Sequence, residues 1–162
     1  MEIRKFNDPV LRKRAIKVKK IDEEIRKIAS DMFSIMKEGQ GVGLAGPQVG
    51  ILKRIIVFES DHLKESVLAL INPKIIKKSR EKAEDAEGCL SFPGIYLEIK
   101  RSKEVFVKGL DLGGNIVEIK AKGLLARILQ HEIDHLNGTL FFDRLNLLKR
   151  IKLKFKNPSL KV

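Results

Sequence analysis

One stretch constrains the architecture more than any other. Residues 124–137 read LLARILQHEIDHLN, and Gly138 closes the run. On a helix turning about 100° per residue, Leu125, Leu129, Ile133 and Leu136 form an apolar stripe. Gln130, Asp134 and Asn137 form a polar stripe. His131 and His135 fall between the two, beside Leu124 and Ile128. Both long sides of such a helix are covered, and its histidines are kept off the wet face. This predicts a central helix with other elements built around it.

A first helix is predicted over residues 22–38, where Ile25, Ile28, Met32 and Ile35 or Met36 keep helical spacing. Asp22, Glu23 and Glu24 suit its positive end, and Gly39 stops it. Residues 39–48 are too glycine-rich for either regular element. Runs of β type follow at 54–59, 67–72 and 95–100. Two more, 103–110 and 115–121, flank a hairpin signal at residues 111–114 (DLGG). Strands gathered between two helices give an α+β class with a mainly antiparallel sheet. At 162 residues the chain has the length of one domain. A single domain over residues 1–162 is expected, ending in a short basic tail at about 149–162.

A composition 43% hydrophobic and 33% charged excludes disordered, collagen-like and low-complexity chains. The balance of 33 basic against 21 acidic residues, a net +12, fits a polyanionic partner or simply a solvated Lys-rich surface. One cysteine excludes an intrachain disulfide framework. No run approaches the roughly 18 apolar residues of a membrane span, and residues 1–14 hold no apolar signal core. A cytoplasmic protein with no membrane association is expected. The 19 residues after Asp143 carry seven basic side chains and no acid. Their alternation over 151–156 predicts an edge strand, and 143–148 a short helix.

The sequence HEIDH places His131 and His135 one helical turn apart, so both can reach one metal ion. Glu132 stands at the rim of that face, within reach of a water but not as a ligand. Two satisfied histidines on a half-buried helix are the plainer alternative. A catalytic site of this kind takes a third protein ligand. Downstream, Phe141 fills the position of a third histidine, and Asp143 is the only acid. The third ligand is therefore sought upstream, where His62, Cys89 or an acid qualifies.

Three segments together resemble a known family. Residues 41–48 (GVGLAGPQ), 87–91 (EGCLS) and 131–135 (HEIDH) look like the three motifs of peptide deformylase, in that family's order and at about its spacing. Residues 7–12 (NDPVLR) resemble its N-terminal signature. The resemblance covers roughly residues 1–150. It implies strands wrapped around the motif-bearing helix. It further implies that Cys89, His131 and His135 hold one divalent metal, ferrous iron in the cell, with zinc, nickel or cobalt able to replace it. Glu132 would be the general base and then the general acid. Gln48 and the Leu90 backbone N–H would bind the developing oxyanion. Glu87 would pair with Arg101 and fix the cysteine-bearing loop.

The activity so implied is removal of the N-formyl group from the N-terminal methionine of newly made proteins, releasing formate. The substrate would lie extended along a strand edge, with its methionine in an apolar slot formed by Val42, Gly43, Leu124 and Ile128. Two departures stand out: Gly46 where the family often has Ala, expected to loosen the loop, and Tyr96 where some members carry a basic residue. Arg127 is placed at the slot or in a surface ion pair. The basic tail is expected to make transient contact with the ribosome, without sequence-specific nucleic-acid binding. Two other classes compete. A zinc peptidase keeps HEIDH but gives Gln48 and Cys89 no role. A non-enzymatic nucleic-acid-binding protein accounts for the charge but lacks a finger spacing or an aromatic-rich RNA-binding pattern.

Overall fold

The computed structural model describes residues 1–60 and 69–156. Helix α1 (Glu23–Glu38) starts where Asp22 caps it, the Asp22 carboxylate accepting from the Ile25 N–H at 3.1 Å. Its buried face is Ile25, Ala29, Met32 and Met36. Strands β1 (Gly43–Ala45), β2 (Ile55–Phe58), β3 (Ala69–Lys78), β6 (Glu104–Leu110) and β7 (Ile116–Lys122) form an antiparallel sheet in the order β1-β2-β3-β6-β7. Strands β4 (Lys82–Glu87) and β5 (Leu97–Ser102) make a second antiparallel pair.

Strand β2 shows why the layers form. All four of its residues are buried, and successive side chains point to opposite faces. Ile55 and Val57 meet the α1 residues Met32 and Met36 on one face. Ile56 and Phe58 meet Leu129, Ile133 and Leu136 of helix α2 (Gly123–Leu136) on the other. Helix α2 is thus the covered central helix expected, with the five-stranded sheet on its apolar side.

Its opposite side corrects the sequence reading. The polar stripe is not wet: Gln130 and Asp134 are buried. The Gln130 amide donates to the Ser102 carbonyl at 3.0 Å and accepts from the Ser102 N–H at 3.3 Å. A side-chain amide therefore serves as a hydrogen-bonding partner for β5. Strand β4 was not anticipated. Its sequence KAEDAE is exposed along most of its length, so no apolar alternation marks it. The glycine-rich run also holds regular structure, the short strand β1 and a 3-10 turn over Gly46–Val49. Gly46 does not loosen this turn. An added Cβ would stand 2.6 Å from the Ile51 carbonyl oxygen and 2.7 Å from that of Lys53, so the backbone packs too closely for one.

The tail is a further correction. Residues 147–156 form helix α3 (Leu147–Lys156), not an edge strand, after a 3-10 turn at Phe141–Arg144. Leu153 packs into an aromatic cluster with Phe92, Phe141 and Phe142. The Phe92 ring meets those of Phe141 and Phe142 edge-on at 5.5 and 5.4 Å.

The interface between α2 and the sheet yields a stability prediction. Leu129 is fully buried there, so Leu129→Ala should remove about 2–5 kcal/mol in urea unfolding. A loss below about 1 kcal/mol would mean that α2 is not the packing centre.

Candidate active site

Three segments converge at the floor of a cleft of about 560 Å³. Helix α2 supplies His131, Glu132 and His135. The loop after β4 supplies Cys89 and Leu90, and the 3-10 turn after β1 supplies Gln48. The ligand atoms of Cys89, His131 and His135 lie within 4.8 Å of one another. The His135 Nε2 is 3.2 Å from the His131 Nε2 and 3.3 Å from the Cys89 Sγ.

These separations bear on whether the three residues fit a metal. A tetrahedral ion with ordinary N and S bond lengths sets its ligands about 3.3–3.6 Å apart, close to what is found. The charge balance points the same way. Burial pulls the His131 pKa down, yet hydrogen bonds with Cys89 and Glu87 outweigh it and hold the value at about 10. An anionic cage that holds a proton this firmly also suits a cation. Glu87 fixes the ring's orientation: its carboxylate lies 3.0 Å from the His131 Nδ1, leaving the Nε2 facing the other donors. His135 is the opposite case, lowered well below its ordinary value by burial and by the neighbouring His131 charge. A neutral imidazole is a ligand form. The candidate His62 lies outside the described residues.

Glu132 is buried, and its Oε2 has no hydrogen-bond partner in the protein. Burial lifts its pKa to about 7, against the pull of His131 and Arg101. Gly43 makes the space beside it: an added Cβ would stand 2.6 Å from the Glu132 Oε1. Gln48 is aimed by its own oxygen, which accepts from the Ala45 N–H at 2.8 Å. Its amide nitrogen is then turned inward, 3.4 Å from both the Cys89 Sγ and the Ser91 Oγ. Val42 and Leu124 are exposed residues at the cleft wall, while Ile128 is buried.

The expected pairing of Glu87 with Arg101 is present and bidentate, at 2.6 and 2.9 Å. It belongs to a larger network that runs from the interior to the surface. Arg101 also donates to Asp134 at 2.7 Å, and Arg144 donates to the same carboxylate at 3.0 Å. Arg127 is neither a slot residue alone nor a surface pair. It is buried, donates to Glu87 at 2.6 Å, and reaches the carbonyls of Ala83, Asp85 and Ile99. It thus ties β4 to β5 as well as lining the cleft. The roles of Asp134 and Arg144 were missed because Asp134 read as part of a wet stripe and Arg144 as one charge of a basic tail. A weak signal existed: Arg144 follows the buried Phe141–Phe142 pair, which holds its exposed side chain within reach of Asp134.

Donors on a helical HEIDH, a nearby carboxylate and an inward amide make the site that of a metal-dependent hydrolase. Comparison with known proteins sharpens this. The model of the polypeptide deformylase family matches residues 1–151. A peptide deformylase of Thermodesulfovibrio yellowstonii is 46% identical over 163 residues, covering 98% of each chain. The crystal structure of the Thermotoga maritima peptide deformylase is 47% identical, with a TM-score of 0.84, covering 90% of this chain and 97% of that one. A peptide deformylase from Synechococcus elongatus, crystallised with actinonin, is 41% identical with a TM-score of 0.89, covering 100% and 87%. The chain belongs to the polypeptide deformylase family.

The network gives a pH prediction. Burial raises the pKa of Glu87, but its hydrogen bonds with His131 and Arg101 outweigh this and bring it to about 2. A carboxyl depressed on folding stabilises the fold fully above its unfolded pKa and loses that contribution as pH falls through the folded value. Glu87→Gln leaves the buried Arg127 without its anion and Arg101 with Asp134 alone, and should cost about 3–5 kcal/mol at pH 7. In urea unfolding of metal-free protein, the gap from wild type should narrow as pH falls from about 4.5 toward about 2. A gap that stays constant with pH would show that the Glu87 charge is not what stabilises the network.

Proposed function

We propose that the chain hydrolyses the N-formyl group of N-terminal methionine on nascent cytoplasmic proteins, with ferrous iron as the working metal and zinc, nickel or cobalt as substitutes. The observation that carries this reading is the convergence of Cys89, His131 and His135 with Glu132 and the Gln48 amide at one cleft floor. Bound by Cys89 and the two histidines, a divalent metal supplies a Lewis acid that makes water a competent nucleophile at neutral pH. Glu132 takes the proton of the attacking water. With a pKa lifted to about 7 by burial, it can then give the proton to the departing amine. The Gln48 Nε2 and the Leu90 N–H receive the formyl oxygen as it gains negative charge. Formate and a free N-terminus remain.

The peptide adds as an extended strand. Among the described residues, β4 pairs only with β5 and β7 only with β6, which leaves each an unpaired edge. Ile128 forms the base of the methionine slot, with Gly43 beside it and Val42 and Leu124 at its mouth. Glu87 and Arg101 hold His131 and the cysteine loop in register. The seven basic residues after Asp143 give the protein a transient attraction to the ribosome, a dense polyanion from which its substrates emerge.

Ligation and chemistry separate by mutation. Cys89→Ser should lose most bound metal. Glu132→Gln should keep its metal while formate release falls about 10²–10⁴-fold. Gln48→Leu should keep metal and lose roughly 10²–10³ in kcat. Metal analysis and a formate assay on protein prepared without oxygen check all three. Wild-type metal content in Cys89→Ser would overturn the ligand set, and internal cleavage of a formyl-Met peptide without formate would favour a peptidase.

For the tail, Leu153 is part of the core, so charge reversal tests it better than truncation. Lys152→Glu with Lys154→Glu should weaken low-salt ribosome binding and leave turnover of a short formyl peptide unchanged. Unaltered ribosome binding would reduce the tail charge to a matter of solubility.

A further inference from the structure

Helix α3 exposes what an RNA surface would not need. Leu147, Leu148, Ile151 and Phe155 are 71%, 71%, 44% and 81% exposed. At about 100° per residue these four share one sector about 100° wide. Leu153 sits on the far side of the helix and is buried against the aromatic cluster. The apolar stripe therefore points away from the protein body. Basic side chains border it on both flanks, Arg150 and Lys154 on one and Lys152 on the other.

We infer that α3 is a docking surface for an anionic lipid bilayer, lying in the plane of the interface with Phe155, Ile151, Leu147 and Leu148 among the acyl chains and the basic flanks at the headgroups. A cationic, amphipathic helix with a bulky apolar face has the chemistry such a surface takes up. Other occupants fit less well. An RNA would engage the basic flanks and leave the stripe in water. A second copy would bring two sets of basic flanks together. The expectation of no membrane contact rested on the lack of a spanning segment. Among the described residues no helix is long and apolar enough to cross a membrane, but lying on one requires no span. The inference is independent of the deformylase reading, and it adds a location at which that activity would be concentrated.

The test uses the full-length, metal-loaded protein and two kinds of vesicle, pure phosphatidylcholine and phosphatidylcholine mixed with phosphatidylglycerol. Wild type should sediment with the anionic vesicles and at least about tenfold more weakly with the neutral ones. Ile151→Ser with Phe155→Ser should lower anionic-vesicle binding at least about tenfold, with formate release from a short formyl peptide unchanged as proof of folding. The chain has no tryptophan, so Phe155→Trp provides a single reporter whose emission should shift to the blue on anionic vesicles. This second variant decides the matter if the serine pair lowers activity. Failure of wild type to bind, an unshifted Trp emission, or full binding by the serine variant would overturn the inference. So would stripe-dependent self-association or ribosome binding in a protein that ignores vesicles.

Discussion

The carboxylate of Glu87 is the interaction on which the rest of the site depends. It ends the charged strand β4, yet it is buried and receives two guanidinium groups and an imidazole. Burying an isolated charge is prohibitive, so each partner is required by the others. Arg101 comes from β5, Arg127 and His131 from α2. One anion therefore fixes the position of the small sheet against the central helix and the orientation of one candidate metal ligand. Asp134 extends the same arrangement to Arg144 and the turn before α3. Structural and chemical demands meet at a single side chain, which is why its replacement would be felt in folding and at the metal alike.

Much of this was legible in the sequence where a regular period or a motif recorded it. Helix α2 announced itself because stripes at helical spacing surround two histidines, and α1 because Asp22 and Gly39 bracket an apolar face. The β-type runs behind β2, β3, β5, β6 and β7 were found from their apolar and β-branched residues, with 67 and 68 of the 67–72 run lying outside the described residues, whereas the buried β1 was hidden by its glycines. What could not be read was polarity that serves the interior. Gln130 and Asp134 look like solvent-facing residues, and only β5 beside them turns them into buried partners. Strand β4 was invisible for the converse reason: all of it before Glu87 stays largely wet, and that part pairs with β5 through the backbone. In the tail, alternation of Ile151, Leu153 and Phe155 with lysines suits a strand. The fold resolves it as a helix, with Leu153 inward and the other two outward.

The HEIDH motif by itself left the third ligand open among His62, Cys89 and acids. The structure brings the Cys89 Sγ to 3.3 Å from the His135 Nε2, which makes Cys89 the candidate among the described residues. The glycines follow a similar course from pattern to reason. Gly43 brings the backbone of β1 against the Glu132 carboxylate, while Gly46 lets a turn close on Ile51 and Lys53. Gly43 thus marks a close approach to a side chain and Gly46 one to backbone, rather than looseness.

The first residues of the chain have a consequence of their own. The Arg4 N–H donates to the Gln48 carbonyl at 2.7 Å, and the Phe6 N–H donates to the Ser91 carbonyl at 2.9 Å. The N-terminal segment thus laces together the two loops that face α2, and Ile3 and Lys5 form part of the cleft wall. Loss of the first six residues would therefore unfasten both loops from one another while leaving Cys89, His131 and His135 themselves untouched.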